Sequence, residues 1–273
     1  MSGNRWTRSR RQAWAVARHE IRLAVFGRRV LPVLLLVGMP LALAALRAVF
    51  LPARQRLDVG HSTADFAQMF ALFHLRFVVF FACALLFAKL FRGEILERSL
   101  HYSLLAPVRR AVLVVGKYLG GVIAAWIVLL TSTGLTFLLF HLPHGAAGVR
   151  QLLSPAGLSD LAGYLAVVAL ACCAYGAAFL LAGLYFGNPM VPALIFLGWE
   201  VATPFLPPAL KALSFVHYLG SLLPVAPSLG PLALLTRPVD PWLAVLGLLT
   251  ATVLLLALAV RVAGRLEVTY AAE

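Results

Sequence analysis

The sequence predicts an all-α polytopic membrane protein with six transmembrane helices, an N-terminal amphipathic interfacial helix and a re-entrant outer helical hairpin before the last span. Three observations carry this reading. Of 273 residues, 62% are hydrophobic and only 12% charged, with a mean hydropathy of +0.93, more apolar surface than a water-soluble globule can hide. The apolar residues form long continuous runs without the alternation of barrel strands, and lipid leaves a crossing segment to satisfy its own backbone, as a helix does. Lys and Arg gather at alternate connections between those runs.

The elements follow in order along a single transmembrane domain, 1–273. Residues 1–29 are basic and include a helical segment, Gln12–Phe26. It places Trp14, Ala17, Ile21, Ala24 and Val25 on one face, with Arg11, Arg18, Arg22 and Arg29 as a stripe beside it. The pattern fits an interfacial helix on the cytoplasmic leaflet, or a basic topogenic tail without fixed structure. The six apolar runs are Val30–Phe50, Gln68–Leu90, Lys117–Leu142, Leu161–Leu184, Pro189–Leu206 and Trp242–Val262, each near the roughly 20 residues that a bilayer core requires. The fifth is the shortest and holds Pro192, Pro204 and Glu200.

Arg5, Arg8, Arg10, Arg11, Arg18, Arg22, Arg28 and Arg29 precede the first run. Lys89, Arg92, Arg98, Arg109, Arg110 and Lys117 flank the second connection, and Arg265 follows the last run. The opposite connections hold only Arg54, Arg56, Arg150, Lys211 and Arg237, so the positive-inside bias places both termini in the cytoplasm. With bases beside membrane spans, the net charge of +13 serves topology and contact with anionic lipid, not nucleic acid. The first run begins about thirty residues in and is long enough for an anchor, unlike a signal peptide.

Span four carries Ala174, Ala178 and Ala182 at four-residue spacing, with Gly183 and Gly187 beyond, a surface for close helix approach within the protomer or across a dimer. Residues 207–240 contain two apolar pieces bounded by prolines and too short to cross. They predict a helical hairpin dipping in from outside, or a surface helix followed by coil. Cys83, Cys172 and Cys173 lie within apolar runs without CxxC spacing and are expected as packed thiols.

Motifs for chemistry are sparse. GxxxxGK[ST], HExxH and GxSxG are absent from the sequence, so no catalytic, cofactor-binding or metal-ligating residue is assigned. Ionisable groups at bilayer depth are costly and single out His74, Arg76 and Glu200. At 1.5 Å per residue, Arg76 lies about 12 Å and Glu200 about 9 Å below the outer face. Matched depths predict an intramembrane polar pair, either an ion pair fixing helix register or a substrate or proton site. Arg47 is expected to snorkel to the headgroups, and His141 and His144 in HLPH are two imidazoles without a third metal ligand.

The one dense patch of mixed charge is FRGEILERSLHYSLLAPVRRAVLVVGKYLG, 91–120. Its first part is helical in pattern, with Glu94 and Glu97 in the first turn where the helix dipole favours acid, and Pro107 ends it. A short charged helix held in the cytoplasm between two spans suits docking of a soluble partner. The order E-I-x-E-R-S-L-x-Y-x-L-L-A-P-V-R-R-x-V-L-V-V-G-K-Y-L over Glu94–Leu119 resembles the cytoplasmic loop of ABC transporter permeases of the type-2 exporter family.

The resemblance implies that 91–116 is a coupling loop whose helix, Glu94–Leu105, inserts into an ATPase subunit through Glu94, Glu97, Arg98, Leu100, Tyr102 and Leu105. It implies an outer gate near Lys211, His217 and Tyr218. It also implies partners: cytoplasmic ABC ATPase subunits that hold ATP and Mg, and a second permease copy or paralogue, in the cytoplasmic membrane of a prokaryote. The permease itself would not be an enzyme. The next cytoplasmic connection, Tyr185–Asn188, is short and uncharged for a second docking point. The rival readings are a secondary transporter or channel using Arg76 and Glu200, and an intramembrane lipid-modifying enzyme.

Overall fold

The computed structural model describes residues 3–27, 30–50, 59–91, 109–227 and 238–265, which are helical with short connections and, among the described residues, no strand. The elements are α1 (Gly3–Phe26), α2 (Leu31–Phe50), α3 (Val59–Met69, continued by Phe70–Val79 and Phe80–Phe87 and on to Phe91), α4 (Arg110–His141), α5 (Gly145–Leu153), α6 (Pro155–Tyr185), α7 (Met190–Ala202), α8 (Pro208–Lys211), α9 (Phe215–Ser221) and α10 (Pro241–Arg265). Among the described residues, five helices are long and apolar enough to cross a membrane: α2, α3, α4 with its continuation to Leu153, α6 and α10. The fifth predicted run is α7 with the 3-10 turn Thr203–Phe205, an apolar helix below that length.

Local chemistry sets the boundaries. At the start of α6, Ser154 accepts a 3.0 Å hydrogen bond from the Gly157 N–H and Pro155 occupies the first turn, the position where a missing N–H does no harm. Gly145, at φ 60°, reverses the chain between the 3-10 turn Leu142–His144 and α5, a conformation that disfavours a Cβ. α3 starts at Val59, earlier than its apolar run, because the polar stretch VGHSTADFAQM is also helical. Its middle, Phe70–Val79, is π-helical, which no residue pattern announced.

Spans α2, α3, α4 and α6 alternate in direction, and α10 runs parallel to α6. Phe91, Arg110, Tyr185 and Arg265 share one end of the bundle, the near end, where the Arg110 guanidinium donates to the carbonyls of Ala263 (3.3 Å) and Gly264 (2.8 Å). The far end holds Phe50, Val59, His141, Pro155 and Pro241. The core is built on α4 and α6. Phe66, Phe70, Phe137, Phe140 and Tyr164 interlock toward the far end, and Phe80, Tyr175, Phe179, Phe196 and Phe215 in the middle, mostly edge to face. The small residues of α6 serve packing inside the chain: a Cβ on Gly183 would stand 2.6 Å from the Ala88 carbonyl oxygen of α3.

α1 differs from expectation in the face it buries. Ala17 and Glu20 are buried and Trp14 is 58% exposed, so the packed face is rotated away from the one the apolar pattern suggested. The cause lies on α4. Gly116 and Gly120 open a groove in which a Cβ would meet the Ala13 carbonyl oxygen at 2.9 Å and the Ala17 carbonyl oxygen at 2.8 Å, and α1 lies against that groove.

Candidate functional site

The candidate site is a cavity of about 390 Å³ between α3 and the α8–α9 segment. Ala71, Leu75, Arg76, Thr203, Lys211, Val216, His217, Ser221 and Leu223 are among its walls. The π-helical stretch contributes Ala71, Leu75 and Arg76, so the backbone is least regular where the cavity forms. Two of the residues expected at the gate, Lys211 and His217, face it. Tyr218 turns away: its hydroxyl donates to the Ala212 carbonyl at 3.0 Å and its ring lines a separate apolar cleft of about 720 Å³ between α6, α7 and α10.

Glu200 lies just behind this cavity, 2% exposed, and its carboxylate is fully engaged. Oε2 accepts from the Ser214 hydroxyl at 2.7 Å and the Val216 N–H at 2.9 Å, and Oε1 from the Phe215 N–H at 2.9 Å. The Thr203 hydroxyl donates to Ser214 Oγ at 2.8 Å, extending the network back to α7. Ser214 caps α9, so Glu200 holds the free amides of that short helix against the end of α7.

Arg76 and Glu200, expected as a pair, are neighbours that interact through space; among the described residues no direct ion pair joins them. Phe215, next to the carboxylate, packs edge-on against Tyr175 at 5.4 Å, about 30 Å along α6 from its Pro155 end at 1.5 Å per residue. The start of α9 is therefore deep in the bundle. His217 stands more open, and burial together with the Lys211 charge lowers its pKa from the usual 6.5.

At the near end, the residues expected to dock an ATPase, Glu94, Glu97, Arg98, Leu100, Tyr102 and Leu105, lie outside the described residues, but both roots of their segment are visible. Lys117, only 1% exposed, forms a buried ion pair with Glu20 of α1 and donates to the Leu90 carbonyl at 3.0 Å, with its ammonium 5.3 Å from the Phe91 ring centre. One side chain thus joins α1, the end of α3 and the start of α4. Glu20 escaped the sequence reading because it lies within a basic helix, and Lys117 because it read as a flank of an apolar run. The spacing Gly116–Gly120 around Lys117 was the available signal.

The far-end residues turn inward. Arg47 does not snorkel: its guanidinium pairs with Asp65 at 2.7 Å, donates to Ser62 at 3.0 Å and stacks 4.8 Å over Phe140. Asp65, invisible as a partner until α3 proved to begin at Val59, supplies the charge that makes this favourable. His144 bonds Ser62 Oγ, while His141 Nδ1 donates to the Phe137 carbonyl at 2.9 Å. Ser62 is fully buried with two partners on its oxygen, the setting of a packing hydroxyl and not of an exposed nucleophile. Among the described residues no group of three or more His, Cys, Asp or Glu side chains could hold a metal ion. The three cysteines are free, with Cys83 and Cys172 buried.

The chain matches no known protein family and no curated protein.

Proposed function

We propose that this chain is the membrane-spanning permease subunit of an ATP-driven exporter of the type-2 ABC family, coupling ATP hydrolysis by a separate cytoplasmic ATPase to substrate translocation. The observation that carries the reading is the rooting of the charged segment between α3 and α4. Its Glu94–Leu119 order resembles the family's coupling loop, and Lys117 on its α4 root holds its α3 root at the Leu90 carbonyl and ties both to Glu20 of α1.

On this reading α7 and its 3-10 turn make the sixth crossing, and the near end faces the cytoplasm with both termini. α1 is then the interfacial helix, and α8–α9 form the first part of a re-entrant element at the outside. The depth of Phe215 against Tyr175 supports the last assignment, and the basic residues of α1 and Arg110 support the orientation. The ATPase partner supplies the phosphoryl chemistry with ATP and Mg.

This chain's own residues transmit the motion. A push on the segment reaches α3 and α4 together, with α1 moving as part of the same body, because the lysine joining them is buried. At mid-length α3 forms one wall of the cavity and α9 the opposite wall, so a tilt of α3 changes the gap between Arg76 and His217. Opening is a population shift between packings whose bias the partner sets.

The test is co-purification. Replacing Glu97 and Arg98 together by Ala is expected to weaken assembly with the ATPase and abolish ATP-dependent export; unchanged assembly and export overturn the reading. Transport by the purified chain in vesicles lacking any ATPase would instead favour a secondary transporter built on Arg76 and Glu200.

A further inference from the structure

We propose that the cavity between α3 and α9 binds an anionic group of phosphate or carboxylate type, with Arg76 and Lys211 as its counter-charges and His217 as a hydrogen-bond partner. At about 390 Å³ the cavity lies within the range of small-molecule sites. Its nitrogen-bearing side chains converge from two elements, Arg76 from the π-helical stretch of α3 and Lys211 and His217 from the α8–α9 segment, and no acidic side chain is among its described walls.

The carboxylate nearest to Arg76 does not complete the site. Glu200 already accepts from Ser214 and from two backbone amides, and it reaches Arg76 only through space. Among the described residues the guanidinium therefore has no hydrogen-bonded acceptor, although it is flanked by apolar Leu75 and Ala71. A half-buried cation of this kind, set within an apolar bundle, is costly unless paired, and an anion entering the cavity supplies the pair. Behind it the Tyr175 hydroxyl is buried without a partner among the described residues, a second polar group that the protein does not satisfy. The other walls, Val216, Leu223 and the prolines, suit an apolar body attached to the anion.

The inference deepens the permease reading by naming the chemistry met in the cavity beside the middle of α3, and it is measured on this chain alone. Failure to bind leaves the ATPase assignment standing, and failure of co-purification leaves the anion site standing. The purified protein, in nanodiscs of phosphatidylcholine, is titrated with decyl phosphate, inorganic phosphate and decanol while the thermal unfolding midpoint is followed. Decyl phosphate is expected to raise the midpoint saturably and decanol to leave it unchanged.

Arg76→Gln is expected to weaken decyl phosphate about ten-fold or more and Lys211→Gln by less, as loss of a charge-assisted hydrogen bond implies. Arg76→Lys is expected to keep part of the affinity. Inorganic phosphate binding as tightly as decyl phosphate assigns the site to a free anion, and much weaker binding assigns it to a lipid-like headgroup; either supports the site. Equal shifts from decanol and decyl phosphate overturn it. So does unchanged affinity in Lys211→Gln, a change at a half-exposed position that carries the test even where Arg76→Gln fails to fold.

Discussion

Lys117 of α4 and Glu20 of α1 form an ion pair with almost no solvent access, Lys117 being 1% exposed, and the same ammonium donates to the Leu90 carbonyl at 3.0 Å. Two charges removed from water stabilise a structure only while both are present. Lys117→Met is therefore expected to destabilise the protein by about 3 kcal/mol, because Glu20 is left buried and unpaired. Adding Glu20→Leu is expected to recover most of that loss. A double-mutant cycle by denaturant unfolding in detergent checks this, with protease sensitivity of α1 as a second readout; additive single effects would contradict it.

Glu200 organises the entry to α9. Glu200→Ala removes the acceptor of the Ser214 hydroxyl and of the Phe215 and Val216 amides, and each buried donor left unmade costs roughly 1–3 kcal/mol. Loss of several kcal/mol is expected from Glu200→Ala. Ser214→Ala removes one donor to Glu200, the side-chain cap of α9 and the acceptor of the Thr203 hydroxyl but leaves both amide bonds in place, so about 2 kcal/mol is expected, less than for Glu200→Ala. Glu200→Gln is not conservative here, since its amide nitrogen would face an N–H or hydroxyl donor. Chemical unfolding of the three variants ranks them.

The His217 imidazole has its pKa lowered below 6.5 by burial and by the Lys211 charge; Arg76 faces the same cavity and Tyr218 adjoins it in the chain. A lowered histidine pKa means that the unfolded chain binds more protons in that window. Stability is thus complete above pH 6.5 and falls as pH drops from there through the folded-state value. His217→Gln is expected to flatten this part of the stability profile between pH 7 and pH 5, measured by thermal unfolding at fixed ionic strength. A profile unchanged by the substitution would assign the pH dependence to other groups.

Orientation is open to labelling. Single cysteines at exposed Ala15 of α1 and at exposed Ala147 of α5 are expected to react with a membrane-impermeant maleimide from opposite sides of the membrane. Ala15→Cys should require permeabilised cells and Ala147→Cys should not, with Cys83, Cys172 and Cys173 replaced beforehand. Reaction of both from one side would overturn the six-crossing topology.

The helical membrane class and the cores of the long spans were legible in the sequence, because apolar length is a local property that lipid enforces on each segment separately. Leu31–Phe50 and Pro241–Arg265 stand within a residue or a few of where the hydropathy runs placed them.

Partnership was not legible. Which carboxylate meets which cation depends on helix rotation and on which backbones approach closely, and tertiary packing decided both. Gly116 and Gly120 drew α1 onto α4 and buried Glu20 against Lys117; the early start of α3 placed Asp65 against Arg47; and the amides of α9 occupied Glu200 before Arg76 could reach it. Hydropathy acts along the chain, whereas pairing of buried charge acts across it, so only the assembled bundle could assign the partners.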